Sequence, residues 1–345
     1  MIRSTTKTLT AAAIAACLAL PASAADPGPT ITQIQERGSL LCTSHNGSYL
    51  GFAEVDDQGK WSGFDIEMCK ALATAILGDP EALQLIPVSW AQRFPALQSG
   101  DIDVIIKVTG WTMSRDTDLG LQYSRPYFIG PTNILVRSDL GATSPEDLEG
   151  GVFCINAGTS IERIVADYMG ARGISYEALN FEKAEELRAA LYAGRCDALA
   201  GFGPFLAATR FNAPDPEGFT ILDAVLALEP EGIAAREGDD GFIDVINWMM
   251  SALLMAEENG ITQANVDEIR ANPPSASVER LLGASPGVGE RLGLSDDWAY
   301  TMIKAVGNYG EIYDRTVGEN SVYKLPRGKN HLWSNGGLLY PLVLD

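Results

Sequence analysis

Between residues 39 and 106 short, branched apolar runs alternate with stretches of helical spacing, and this alternation restricts the fold more than any other feature of the 345-residue chain. Ser39 to Ser44 reads as a first strand. A loop from His45 to Phe52 and a turn at Asp56-Asp57-Gln58-Gly59-Lys60 follow. Gly63-Phe64-Asp65 then opens a helix with Asp65 as its N-cap. Ile66, Cys69, Leu72, Ala73 and Ile76 keep helical spacing, and Gly78 ends the helix. Gln84 to Val88 is a second strand, Ala91 to Gln98 a short helix stopped by Ser99-Gly100, and Ile102 to Ile106 a third, buried strand. Strand, helix, strand, helix, strand predicts a mainly parallel α/β sheet, and such sheets hold ligands beyond their strand ends.

The third strand runs into Thr109-Gly110-Trp111-Thr112-Met113-Ser114-Arg115-Asp116-Thr117. This segment offers small hydroxyls, a glycine that lets backbone approach closely, one aromatic face and one guanidinium. The planar fork of Arg115 suits a carboxylate. A surface pair with Asp116 or Asp118 is the plainer role for such an Arg.

A second round of the same alternation follows. Thr132 to Arg137 is a strand leading away from the first unit, and Gly151 to Asn156 another. Gly158-Thr159-Ser160 opens a helix through Ala171, with Thr159 and Glu162 at capping-box spacing. Asn180-Phe181-Glu182 starts a helix over 183–193, with Gly194 beyond its end. Cys196 to Gly201 and Phe219 to Leu222 are strands, and Ile233 to Arg236 returns to the first unit. Two α/β lobes joined by two crossings make a hinge with a cleft between them. The expected division is a first lobe over 25–133, a second over 134–232, a return to the first over 233–275, and an extension over 276–345 packed on the first lobe. The extension is helical from Asp296-Asp297-Trp298, then irregular, with turns at Gly307-Asn308-Tyr309-Gly310 and Gly336-Gly337-Leu338.

The N-terminus reads as a targeting segment over 1–24. Arg3 and Lys7 precede an apolar stretch from Leu9 to Leu20, and Ala22-Ser23-Ala24 is an A-x-A cleavage site. A competing lipid-attachment box at Ile14-Ala15-Ala16-Cys17 truncates the apolar run and ignores that site. Export implies an oxidising compartment, and four cysteines remain after cleavage: Cys42, Cys69, Cys154 and Cys196. Of the three pairings they allow, Cys42 with Cys69 and Cys154 with Cys196 keep each bridge within one lobe. With no C-x-x-C and with His45 and His331 far apart, no metal or other cofactor is expected. The formal charge of −20 becomes −22 once Arg3 and Lys7 leave, a balance that repels nucleic acid and anionic lipid surfaces. The longest apolar stretch after the leader, Phe242 to Ala256, carries Asp244 and Asn247 and reads as a buried helix rather than a membrane span.

Several stretches carry a resemblance: Gly63-Phe64-Asp65, Arg93-Phe94, Ala96 to Gly100, Trp111 to Leu121, Gly194-Arg195-Cys196-Asp197, Asn265-Val266-Asp267-Glu268, Asp297-Trp298-Ala299-Tyr300 and Gly307 to Ile312. In this order, from about residue 36 to the C-terminus, the sequence resembles the extracytoplasmic solute-binding proteins of amino-acid ABC importers, and more narrowly the general L-amino-acid binding proteins. That resemblance implies a type II periplasmic binding protein fold, an α/β architecture of two mainly parallel-sheet lobes on a two-crossing hinge. It also implies a monomer in the periplasm, with a membrane permease and a cytoplasmic ATPase as partners. Matched position by position, Arg115 corresponds to the Arg that grips the ligand α-carboxylate, and Thr109 and Thr112 to hydroxyls lining the first lobe. Gly110 stands where a second Thr is usual. Thr159 and Ser160 match the hydroxyl pair at a helix start whose N–H groups also meet the carboxylate. Trp90 falls near an apolar pocket position and Tyr49 near an aromatic wall, although core packing would also account for either.

Two departures stand out. The family's strand after Gly-Arg-Cys-Asp ends in an Asp that pairs with the ligand ammonium; here Phe202 holds that position. The first loop is about one residue longer and carries His45 and Asn46. Losing one partner of a buried ion pair costs roughly 3–5 kcal/mol. Unless another carboxylate moves in, the expected ligand is therefore a carboxylate without an ammonium, aromatic or apolar given Trp90, Trp111 and Tyr49; the alternative is a pocket altered in detail that still binds amino acids. An enzyme on the same fold, resembling the periplasmic dehydratases of cyclic aromatic precursors, would need a general acid in the cleft. Glu54, Asp65 and Glu182 are the acids to test, with solvated or capping roles as the simpler expectation. A ligand-presenting module for a membrane receptor is a third reading.

Overall fold

The computed structural model describes residues 27–345. The leader, its cleavage site and Cys17 lie outside the described residues. The chain begins with α1 (Pro29–Arg37), β1 (Leu40–His45), a two-strand ribbon of β2 (Glu54–Val55) and β3 (Trp61–Ser62), α2 (Phe64–Leu77), β4 (Leu83–Val88), α3 (Arg93–Ser99) and α4 (Met113–Asp118). A 17-residue strand, β5 (Leu121–Arg137), leads into β6 (Gly151–Asn156), α5 (Ile161–Gly170), β7 (Tyr176–Phe181), α6 (Ala184–Tyr192), β8 (Ala198–Phe202), α7 (Gly203–Phe211) and β9 (Phe219–Ile221). β10 (Ala227–Arg236) returns, followed by α8 (Asp240–Glu258), α9 (Val266–Ala271), α10 (Ala276–Leu281), α11 (Trp298–Val306) and α12 (Tyr309–Thr316).

In the first lobe β1 and β4 pair in parallel, Leu40 opposite Leu83 through His45 opposite Val88. The expected third strand touches β1 by a single bridge, Val104 to Cys42, and β10 by another, Ile105 to Ala234. Side chains replace the missing ladder. Ile106 donates its N–H to Thr43 Oγ1, which in turn donates to Ile106 O, and Asp103 accepts the Leu41 N–H at 2.8 Å. Ile102, Val104, Ile105 and Ile106 are still fully buried, as their branched run predicts.

The second sheet runs β10-β5-β8-β6-β7, with β9 also on β5. β6 is parallel to β7 and β8; β5 is antiparallel to β8, β9 and β10. β5 and β10 pair from Leu121–Arg236 to Thr132–Ala227, and these two strands are the crossings between the lobes. The apolar α8 is buried as expected, and α11 and α12 pack on α2 and α8. Farther on, Asn330 clamps β5, its side chain exchanging hydrogen bonds with both the N–H and C=O of Ile129. No helix among the described residues is long and apolar enough to cross a membrane. Both disulfides form as paired above, with Cα atoms 6.1 Å apart for Cys42–Cys69 and 5.7 Å for Cys154–Cys196.

Several expectations fail locally. Gly63, not Asp65, caps α2, and Asp65 turns into the core instead. Thr132 to Arg137 is only the end of β5. Asn180 and Phe181 close β7, an edge strand with no fully buried side chain and so little apolar signal. Thr159 and Glu162 form no capping box: Ser160 is the N-cap, Glu162 accepts the Gly158 N–H, and Thr159 Oγ1 donates to Asn156 O. Asn308 makes a capping box with Glu311, so Tyr309-Gly310 is helical rather than a turn.

Candidate functional site

The segment after Ile106 runs beside β10. Thr109 O accepts the Gly232 N–H, Trp111 donates its N–H to Pro230 O, and Gly110 pairs with Glu231. Thr112 then caps α4, which carries Arg115 back over the segment so that Nη1 donates to Gly110 O at 2.8 Å. Arg115 is 8 % exposed, and this is its guanidinium's only hydrogen bond among the described residues. It borders a cavity where the two lobes meet. The first lobe lines that cavity with Tyr49, Trp90, Arg93, Val108 and Arg115, and β10 adds Glu229 and Glu231. The second lobe supplies Asn156, the α5 start at Thr159, Ser160 and Ile161, and the end of β8 with Phe202 and Phe205 beyond. The first N–H groups of a helix have no acceptor within it, so the start of α5 presents donors. The space is about 30 Å³, room for water rather than for a ligand, so a guest enters only when the walls separate.

Aromatic rings cross the interface. His45 stacks on Tyr49 at 5.0 Å, Tyr49 on Phe205 at 4.2 Å, and Trp90 sets its edge against both His45 and Tyr49. Phe202 meets Phe52 and Phe128 edge to face. Its ring fits because residue 130 is glycine, where a Cβ would lie 2.2 Å from Phe202 Cε2. Gly110 has a similar cause: a Cβ there would stand 2.8 Å from Glu229 Oε1.

Charge is concentrated and poorly solvated. Burial, then the charge of Arg115, pulls Arg93 down to about 9. Burial, then Glu229, holds the Glu231 carboxyl well above the usual range. Behind the lining, burial raises Asp65 to about 7 despite the Tyr127 hydroxyl it accepts at 2.7 Å. Burial also pushes Lys107 and His45 down, helped by Arg93 for Lys107 and by Lys107 for His45. Lys107 Nζ has no hydrogen-bond partner among the described residues and sits 4.4 Å from the Trp90 ring centre. Val108, a β-branched residue at φ 35°, is held there with its N–H on Tyr127 Oη. Among the described residues no group of three His, Cys, Asp or Glu could hold a metal.

Of the residues singled out from sequence, Arg115, Thr159, Ser160, Phe202, Trp90 and Tyr49 line the cavity. His45 lies one layer behind, on Tyr49. Thr109 is buried with its hydroxyl donating to Lys107 O, Gly110 supports Arg115 through its carbonyl, and Thr112 serves α4. Trp111 is turned away, 41 % exposed and stacked on Tyr123. Glu54 accepts from Gly51 N–H and Tyr323 Oη, and Glu182 is exposed. Asp65 is neither solvated nor a cap. The residues missed were Arg93, Val108, Asn156, Phe205, Glu229 and Glu231. Glu229 and Glu231 had a signal, since residues two apart on a strand share a face. The expectation of a ligand without an ammonium assumed that no carboxylate replaced the one missing at Phe202; two line the same cavity, so its premise does not hold.

Residues 42–264 match the bacterial extracellular solute-binding proteins, family 3. The chain is 41 % identical to the general L-amino acid-binding periplasmic protein AapJ of Rhizobium johnstonii, over 97 % of this chain and 98 % of that one. It is 37 % identical to the glutamate/glutamine/aspartate/asparagine-binding protein BztA of Rhodobacter capsulatus, over 95 % and 96 %. Its fold superposes with a TM-score of 0.87 on a periplasmic binding protein of an ABC transporter from Brucella ovis solved with glutathione bound, at 42 % identity over 91 % of this chain and 98 % of that one. The cavity between two α/β lobes, the two β-strand crossings and these likenesses agree: the chain belongs to family 3 of the bacterial extracellular solute-binding proteins, with their type II fold.

Proposed function

We propose that this protein captures a small ligand of the amino-acid class in the periplasm, after loss of its leader, and hands it unchanged to the permease and ATPase of an ABC importer. One observation carries the reading. Arg115 is a buried guanidinium at the meeting of the lobes, in no ion pair among the described residues, and oriented by a backbone carbonyl. Burying such a group with no carboxylate in direct contact is costly, and a ligand carboxylate supplies that contact. The start of α5 supports the same carboxylate from the second lobe. The names of the relatives support the class, since glutamate, glutamine, aspartate, asparagine and glutathione all carry a carboxylate beside an ammonium.

Thermal unfolding against a panel of L-amino acids, glutathione and simple aromatic acids tests this. A bound ligand at a hundred times its Kd should stabilise the protein by about 2.7 kcal/mol. Mass spectrometry of the incubated ligand should find it unaltered. If no member of the panel raises the unfolding temperature, the proposal fails.

A further inference from the structure

Phe202, 3 % exposed and wedged among Phe52 and Phe128, leaves the second lobe without an acid at the cavity. The acids come from β10 instead. Glu231 is 2 % exposed, lines the cavity, and its Oε2 has no hydrogen-bond partner among the described residues. Neither Glu231 nor Glu229 is in an ion pair among the described residues. Glu229 is anchored, its Oε2 accepting from Thr132 Oγ1 at 2.9 Å, with Oε1 turned toward Gly110.

Resting on the reading of this cavity as an amino-acid-class site, we propose that Glu231, seconded by Glu229, receives the ligand's ammonium group. In an α-amino acid the carboxylate carbon and the ammonium nitrogen are two bonds apart, so their receptors must be neighbours. Gly110 makes them so: its carbonyl holds Arg115, and its pairing with Glu231 fixes that strand residue alongside. The bonds from Trp111 N–H to Pro230 O and from Gly232 N–H to Thr109 O lock the register on either side. Asp65 cannot serve, because it lies behind the lining with one oxygen on Tyr127. The acid has thus moved from the closing lobe to a hinge strand, and the ligand's two charges are read on one side of the cleft.

The test uses the mature chain freed of co-purified ligand, with L-glutamate, L-glutamine and glutathione each titrated against its N-acetyl derivative. Wild type should prefer the free amine by about a hundredfold or more, and E231Q should lose most of that preference while E231D keeps part of it. A wild-type ratio near one overturns the proposal while leaving a carboxylate site intact, and this arm decides the matter if E231Q does not fold. A folded E231Q that keeps the full preference also overturns it. Binding of none of the six probes overturns both the proposal and the amino-acid reading beneath it.

Discussion

The two walls of the cavity differ in kind. All charge in the lining stands on the first lobe or on β10: Arg93, Arg115, Glu229 and Glu231. The second lobe's side is uncharged, with hydroxyls and helix-start donors at Thr159 and Ser160 and rings at Phe202 and Phe205. Arg115, Glu229 and Glu231 are held by contacts within the first lobe and the hinge, independently of closure, whereas Arg93 also donates to Gly158 O of the second lobe at 3.3 Å. The neutral wall completes the site only when it swings in. Charge recognition and closure are therefore separable, and substitutions on the two sides should differ in both size and character.

The sharpest way to break that contrast is Arg115→Ala. It removes the partner of the ligand carboxylate and leaves Glu229 and Glu231 facing each other without it. Calorimetric titration with L-glutamine or glutathione should show a loss of roughly 3–5 kcal/mol, two to four decades in Kd. If the loss is no greater than that from trimming a hydroxyl of the second lobe, charge is not read where the comparison puts it.

A second test separates the lobes by pH. Burial pushes Asp65 from the ordinary aspartate value near 3.8 up to about 7 in the folded protein, so the native state holds an extra proton between these values. Its ionisation therefore lowers stability as pH rises from 4 through 7, with no further change above. Relative to wild type, Asp65→Asn should gain on the order of 2–4 kcal/mol between pH 4 and 8, and nothing at pH 4. Asn can still accept from the Tyr127 hydroxyl. The second lobe should behave oppositely. Hydrogen bonds from Thr143 and Ser144 hold Asp147 low, and those from Ser175 hold Glu149 low, so their stabilising contributions are present above the ordinary carboxylate range and lost as pH falls. Thermal unfolding of D65N and E149Q across that range checks both signs; parallel curves would erase the distinction.

On the neutral wall the effect should be smaller. Ser160→Ala removes one hydroxyl from the lining and leaves the backbone donors of α5 in place. A loss of about 0.5–1.5 kcal/mol, roughly threefold to tenfold in Kd, is expected in the same titration.

The contrast also explains what could be read from sequence. The alternation of branched runs and helical spacing gave the lobes, because burial of one face leaves a periodic trace. Arg115, Thr159 and Ser160 were legible because a glycine and hydroxyls cluster around strand ends and helix starts. Glu229 and Glu231 were passed over because the sequence marks strand β10 only from Ile233, where its apolar run begins, which leaves Glu229-Pro230-Glu231 outside any expected element. Asp65 was misread because an Asp directly before an apolar helical run is the usual N-cap signal; here Gly63 takes that place, and a Cβ there would lie 2.4 Å from Phe52 O. The edge strand β7 has no fully buried side chain, so its apolar pattern is weak.

The smallest expected effect lies at the rim. Glu185 on α6 accepts the Ser48 N–H at 2.8 Å, and Arg188 donates to Ser48 O at 3.3 Å, tying the second lobe to the loop that carries Tyr49. Gly47 permits the approach, with φ 135° and a Cβ position only 2.9 Å from Glu185 Oε2. This contact exists only when the lobes are together, so it favours closure and slows ligand escape. It is also exposed, and exposed charge-assisted contacts contribute about 0.2–1 kcal/mol. Glu185→Ala should therefore raise the ligand dissociation rate by less than about fivefold in stopped-flow measurements, and added salt should shrink the difference. Glu185→Gln, whose carbonyl can still accept from Ser48, should lie between. Should E185A speed release more than S160A does, closure would be held at the rim, and the neutral wall would lose the role assigned to it.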